Sequence, residues 1–370
     1  MSLNLYTCLS KKSRSSLIFS AAILICLAVV SCKEKMSGVS ISYPDGWFKG
    51  NTHSHTRISD GNASPEYVVN WYHDHGYNFL AITDHNKFVN PDSVKLPENA
   101  RNDFILIPGI EVTGKRVIHT TGLNVHGYIH PGYEYNSVTE VIQSQIDSII
   151  AGSGLPILNH PNFRSGAQAS QILPVQGLHL LEVFNGHPSV FNWGLEGVHA
   201  PVETKWDSLL TLGQKYYAVA SDDVHHFDQF FPERANPGRG WVMVKSNVLS
   251  ADSITAAIAR GDFYASNGVI LETILLTGTI FTVKVDQDAT TEELKSPYLT
   301  GNIVPEGKPG FAIEFIGSEG RVLQKTEGDS ATYIIDSNEL YTRCRVTYCR
   351  RRSENKYEML YAWTQPVFKK

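Results

Sequence analysis

Phe48-Lys49-Gly50-Asn51-Thr52-His53-Ser54-His55 decides how this chain is read, because a short strand candidate runs straight into two histidines placed two residues apart. In extended backbone, residues two apart point to the same side, so both imidazoles can reach one ion. A second pair of the same spacing, His73 and His75, falls at the end of a predicted helix, where residues two apart diverge by about 200°. That pair is expected at the surface. The first is expected to open a metal site.

Outward from this segment, from Trp47 to about Gly268, short apolar runs alternate with helical patterns, the signature of βα units, and a barrel is the natural closure. The strand candidates are 48–53, 79–83, 104–110, 120–128, 155–159, 180–184, 216–220 and 241–244, mostly continuous apolar runs as buried parallel strands require. Helix ends are signalled clearly. Ser64-Pro65-Glu66 supplies an N-cap, an N1 proline and an early acid, and Gly76 a left-handed C′ residue. Ser137 and Glu140 form a capping box on a helix that Gly152 ends, and Ser250 opens another that runs through Arg260 to Gly261. After Gly268 the texture changes to alternating β segments with turns such as Gly317-Ser318-Glu319-Gly320. No helix is expected there, and a small β-sandwich over 269–370 fits.

At 370 residues the chain exceeds the roughly 250 to 300 at which single cores stop growing, which predicts two domains. With 19% charged residues and a net charge of −5, it lacks the basic surplus of a nucleic-acid-coating protein, and no stable nucleic-acid partner is expected. Residues 1–32 read as a leader: Lys11, Lys12 and Arg14 precede an apolar run from Leu17 to Val30 that falls short of the about 20 residues of a membrane span. The run ends in Val29-Val30-Ser31-Cys32, which resembles a bacterial lipobox, with Cys32 lipidated as the new N-terminus and 33–46 a polar tether. This predicts a protein of the bacterial cell envelope, anchored in the membrane through lipid on Cys32 and facing the periplasm or the cell surface. Cys8 and Cys26 would leave with the leader. Cys344 and Cys349 lie an odd number of positions apart on a predicted strand, point to opposite faces, and are not expected to bond.

The residues that carry chemistry follow the predicted strands one after another: Asp60, Asp84-His85, Glu111, His119, His160 and Asp222-Asp223-Val224-His225. In a βα barrel the C-terminal strand ends converge on one face, where such enzymes build their sites. Mixed imidazole and carboxylate sets suit zinc, manganese or iron. Arg57 and Arg164 lie beside these motifs as candidate contacts for an anionic group, as do Arg234 and Arg239 beyond His225, although each also reads as ordinary surface charge. Asn185 and His187 follow the strand ending in Phe184 and suit the mouth of a pocket or loop capping equally. Tyr361-Ala362-Trp363 and Arg350-Arg351-Arg352 read as core packing and solvated charge rather than a sugar or anion contact.

The ordered series Asn51-Thr52-His53-Ser54-His55-Thr56, Ser59-Asp60-Gly61, Thr83-Asp84-His85, Gly109-Ile110-Glu111-Val112, His119 before Gly122-Leu123-Asn124, Asn159-His160-Pro161 and Ser221-Asp222-Asp223-Val224-His225 resembles the polymerase and histidinol phosphatase (PHP) superfamily, related in architecture to amidohydrolases. The resemblance covers 47–268. The doubled aspartate, the leader and Phe263-Tyr264-Ala265-Ser266-Asn267-Gly268 look most like its carbaryl-hydrolase-like subgroup. It implies an α/β fold with a distorted (β/α)7-type barrel followed by a C-terminal β domain, and two or three divalent ions. His53, His55, Glu111 and Asp223 would hold the first, Glu111 would bridge to a second on His119 and His160, and Asp60, His85 and His225 would hold the third. His126 and His130 compete with His119 for its place, and Asp222 stands beside Asp223 as a supporting residue.

A hydroxide bridging two such ions would attack a phosphate ester with no protein nucleophile. The expected function is therefore hydrolysis of a small phosphate monoester or diester. A carbamate or carboxylic ester hydrolase using the same site, and a surface binding protein with structural metals, are the alternatives.

Overall fold

The computed structural model describes residues 46–369 apart from 101 and 165. The expected leader, Cys32 and all but the last residue of the tether lie outside the described residues. Among those described, no helix is long and apolar enough to cross a membrane.

The strands run β1 Trp47–Asn51, β2 Phe79–Ala81, β3 Ile105–Ile107, β4 Gly109–Thr113, β5 His119–Leu123, β6 Leu155–Leu158, β7 Leu180–Asn185, β8 Tyr217–Ser221, β9 Trp241–Lys245 and β10 Phe263–Ser266. The helices are α1 Pro65–Asp74, α2 Val138–Ala151, α3 Ala169–Ile172, α4 Val202–Thr211 and α5 Ala251–Arg260. Their ends obey local chemistry. Ser64 accepts from the Tyr67 amide, Ser137 and Glu140 cap each other, Ser250 accepts from the Ser253 amide, and Gly261 takes the left-handed conformation at φ 82° that a side chain would resist. On α2, Val141, Ile142, Ile146 and Ile149 form one buried stripe, each stabilising the fold by about 1.5–3 kcal/mol.

The strands form two sheets rather than one run of parallel neighbours. β1, β2 and β3 are parallel, and β9 lies antiparallel on the other side of β1. β5 runs antiparallel to both of its neighbours, β4 and β6, whereas β6, β7 and β8 are parallel. The strand expected over 104–110 is divided at Pro108, whose missing N–H ends one ladder. Its first half pairs with β2 and its second with β5.

At the histidine-bearing end the two sheets are stitched together. The His55 amide donates to the Val224 carbonyl at 3.0 Å and the Asp223 amide to the His53 carbonyl at 3.1 Å. On the other side the Glu111 amide donates to the Thr83 carbonyl at 3.2 Å.

The remaining strands are β11 Leu271–Thr277, β12 Ile280–Val285, β13 Asn302–Val304, β14 Gly310–Ile316, β15 Val322–Glu327, β16 Ser330–Ile334, β17 Tyr341–Ser353, β18 Lys356–Thr364 and β19 Val367–Phe368. β18 pairs with β10, Ala265 opposite Trp363, so β15-β14-β17-β18 continues the sheet that contains β1. A separate sheet, β11-β12-β16, packs Phe281 onto Phe315 of β14 with ring centroids 5.4 Å apart. Contrary to the sequence expectation, this region holds a helix, α6 Gln287–Glu293, capped by Asp286. It is too short and too acidic to show a periodic apolar stripe. Its Glu293 meets Lys49 of β1 at 2.5 Å, and the lysine lies over the rings of Tyr77 and Trp241. A second buried network, Arg343 on Asp207 and Glu203, joins β17 to α4. Cys344 and Cys349 are both free.

His73 and His75 differ from the surface placement expected of them. Both are half-buried, with His75 stacked on Trp71 at 3.7 Å and its Nδ1 on the Trp71 carbonyl at 2.6 Å. Their rings pack apart: His73 lies 3.2 Å from Asp74 and 3.7 Å from Asp103, and neither histidine joins the cluster beyond β1.

Candidate metal centre

β1 delivers His53 and His55 just beyond its last residue, both buried, with the side chains converging so that the two Nε2 atoms lie 3.2 Å apart. The Nδ1 of His53 faces the Glu182 carboxylate at 3.0 Å, which places its proton there and leaves Nε2 bare. Two ring nitrogens with facing lone pairs repel unless a proton or a cation lies between them.

Glu111 stands in the middle. Its Oε1 lies 3.2 Å from His53 Nε2, 3.2 Å from His119 Nδ1 and 3.3 Å from His160 Nε2. Its Oε2 lies 2.8 Å from His85 Nδ1 and 3.3 Å from His55 Nε2. Despite these approaches, Glu111 Oε2 and His119 Nδ1 are buried without an aligned hydrogen bond. Donor atoms that crowd together without bonding one another are what a ligand set leaves around ion positions. The chemistry agrees, since the set is all imidazole and carboxylate.

Nine residues fall into four overlapping groups whose ligand atoms lie within 4.8 Å of one another: His53, His55 and Asp223; His53, Glu111 and His160; His85, Glu111 and His119; and His55, Asp60, His85 and His225. The last group sits at the open side, where the Asp60 side chain is 52% exposed. Burial opposes charge on Glu111, but His85, His53 and His119 outweigh it and hold the carboxyl well below its ordinary range. Asp223 is held down in the same way, chiefly by His53. Burial, reinforced by His225, pushes His55 down to about 3. The carboxylates are thus ionised and His55 is neutral, the states that bind cations, while the same carboxylates raise His53, His85, His160 and His225 against their burial, so that an ion binding there would displace protons from them.

The alternatives left open by the sequence separate here. His119 lies in the cluster, at the start of β5, which runs antiparallel and so brings its first residue to this end; His126 and His130 are exposed. Asp223 faces the histidines, while Asp222 points away and accepts from Tyr72 Oη at 2.6 Å and from the amides of Gly238, Arg239 and Gly240. Asp84 binds the amides and hydroxyls of Thr56 and Ser59, fixing the loop that carries Asp60. Asn185 is buried rather than at the rim and gives its amide to Glu182 and Asp223. His187 is half-buried beside His225, and burial pushes it down to about 4. Arg57 and Arg164 are exposed, the latter with its guanidinium over Phe163. Arg239 is buried on the carbonyls of Gly186 and Phe231 and is not available to a substrate.

Two residues escaped the sequence reading. Glu182 accepts from His53 Nδ1, Ser221 Oγ, the His160 amide and the Asn185 amide group. Asn159 donates to Glu111 at 2.8 Å. The signal for Glu182 was an acid inside the apolar run Leu180-Leu181-Glu182-Val183-Phe184, since a buried carboxylate requires partners.

No family model and no curated protein matches the sequence. Among solved structures, the chain is similar to a two-domain protein from Bacteroides vulgatus containing a predicted PHP-like metal-dependent phosphoesterase, at 15% identity over 89% of this chain and 98% of that one, with a TM-score of 0.44. It is also similar to a Bifidobacterium adolescentis protein assigned by inference as a metal-dependent phosphoesterase, at 14% identity over 59% and 98% of the two chains and a TM-score of 0.38. A third is an amidohydrolase from Chromobacterium violaceum with bound sulfate and no metal, at 17% identity over 51% and 93% and a TM-score of 0.31. At such identities and scores, the functional argument rests on the side chains.

Proposed function

We propose that this chain is a metal-dependent phosphoesterase of the PHP type that hydrolyses small phosphate esters. The observation that carries the reading is Glu111, a buried carboxylate with five imidazole nitrogens within 3.3 Å of its two oxygens and no aligned hydrogen bond on Oε2. His53, His55, Glu111 and Asp223 would hold one ion, Glu111 with His119 and His160 a second, and Asp60, His85 and His225 a third. Divalent ions held there supply a nucleophile from water at neutral pH and neutralise charge on a phosphoryl group.

The protein's own part is preorganisation. Glu182 fixes the His53 tautomer, Asn159 orients Glu111, and Asp84 sets the loop of Asp60, so the ligands need little rearrangement. The same reading includes lipid anchoring at Cys32 in the bacterial cell envelope, facing the periplasm or the cell surface, and a barrel domain over 47–268.

The test is metal analysis of the purified protein with a panel of chromogenic phosphate monoesters, phosphodiesters and carboxylic esters. Two or three ions per chain with phosphate ester turnover is the expected result. Full metal loading with turnover of carboxylic esters alone would replace the reading with its ester-hydrolase rival. Unchanged metal content after His53→Ala combined with His55→Ala would remove the site.

A further inference from the structure

We infer that Arg164, propped on Phe163, contacts the substrate phosphoryl group and selects phosphate monoesters over diesters; this rests on the phosphoesterase reading above. The loop after β6 carries both residues, and Phe163 packs against the histidine cluster, its ring 5.2 Å from that of His160 and 6.0 Å from that of His119. The Arg164 guanidinium lies over the Phe163 ring at 5.2 Å and makes no hydrogen bond or ion pair with any described residue. Stacking on one face leaves the N–H edge of a guanidinium free, and that edge matches phosphate oxygens.

The loop is built to hold this pose. Asn162 donates to the carbonyls of Phe191 and Ala200, Lys205 to those of Pro161 and Ala167, and the His199 ring bonds the Arg164 carbonyl at 2.6 Å. Its backbone is forced as well. Arg164 sits at φ 51° and His160 at φ 26°, and a Cβ on Gly166 would meet the Pro161 carbonyl oxygen at 2.2 Å. Left-handed backbone at a non-glycine residue persists only where its surroundings impose it, and such strain gathers at functional sites. Of the other cations named beside these motifs, Arg239 binds carbonyls and Arg234 binds Gln229. Arg57 is exposed and lies over no aromatic ring among the described residues.

A monoester dianion has three non-bridging oxygens and a diester two. If ions take two of them, only the monoester has a third to offer a lateral guanidinium. Selection between the classes would then lie in Arg164.

The experiment compares kcat/KM for p-nitrophenyl phosphate and bis-p-nitrophenyl phosphate, and inhibition by inorganic phosphate, in the metal-loaded wild type, Arg164→Ala and Arg164→Lys. Metal content and unfolding midpoint are measured alongside. Arg164→Ala is expected to lower the monoester-to-diester ratio about 10- to 100-fold, the range for hydrogen bonds to charged groups, with weaker phosphate inhibition and wild-type metal content. Arg164→Lys should recover part of the ratio. Equal losses on both esters would mean that Arg164 only shapes its loop, and an unchanged ratio would also overturn the inference. A wild type that turns over neither phosphate ester would overturn the phosphoesterase reading and this inference with it.

Discussion

Glu182→Gln is nearly isosteric, yet it should be among the most damaging single changes near the centre. One carboxylate oxygen accepts from His53 Nδ1 and Ser221 Oγ, and the other from the His160 amide and Asn185 Nδ2. Turned to the second side, the glutamine NH2 meets two donors, and at about 1–3 kcal/mol for each unsatisfied buried donor that costs roughly 2–6 kcal/mol. Turned to the first, it meets the Ser221 hydroxyl, which can rotate to accept, and the His53 proton, which leaves about 1–3 kcal/mol. His53 can escape by moving its proton to Nε2, but that blocks the nitrogen facing Asp223 and Glu111. The damage then moves from stability to metal affinity, where loss of a supporting partner typically costs about 10–100-fold. Urea unfolding of the metal-free protein and zinc competition against a chromophoric chelator measure the two routes separately. If Glu182→Gln unfolds at the wild-type urea concentration and also binds zinc as tightly, the tautomer argument is wrong.

Other changes separate fold from site. Arg343→Met should destabilise the protein by about 3–5 kcal/mol in urea unfolding, because Asp207 and Glu203 stay behind without their buried partner. Its pH dependence has a definite sign: burial disfavours ionised Glu203, but Arg343 and Arg345 outweigh it and hold the carboxyl below 4.5. The contribution of Glu203 is complete above that pH and fades as pH falls through its lowered value, so the gap between wild type and variant should narrow in acid. Gly61→Ala would place a Cβ 2.7 Å from the His55 carbonyl, shifting the loop that carries Asp60. The expected result is loss of about one ion per chain by elemental analysis, from the open group alone, with little change in the unfolding midpoint of the metal-free protein.

The strand-end logic was legible because it rests on a local fact, that extended backbone aligns residues two apart, and His53 with His55 shows it directly. Helix ends at Ser64, Ser137 and Ser250 were legible for the same reason, since caps are bonds between near neighbours. What could not be read was pairing across the sequence. Nothing near Ala265 announces that it will lie opposite Trp363, and nothing at Pro108 says that the halves it separates enter different sheets. The antiparallel run of β5 was hidden likewise: His119 was read with the C-terminal strand ends, and it reaches the cluster instead from the start of a strand that runs the other way. The short α6 failed for a different reason, having too few turns to show a period.

The position of the nine residues also has a mechanical meaning. The two sheets meet at the histidine-bearing end along two seams, the segment after β1 with the segment after β8 and the segment after β2 with β4, each joined by only a few backbone bonds. The residue groups straddle those seams: His53 and His55 against Asp223 at one, His85 against Glu111 at the other. In the metal-free protein each seam brings ionised carboxylates and crowded imidazoles together, a costly arrangement in a dry interior. Ions bound there would turn that repulsion into bonds between sheets, and their binding free energy would add to folding stability. The left-handed backbone of His160 and Asp223, at φ 26° and 50°, fits this account, since both residues are turned out of regular strand geometry to face the seam. The cluster would then be both the chemical centre and the clasp of the fold.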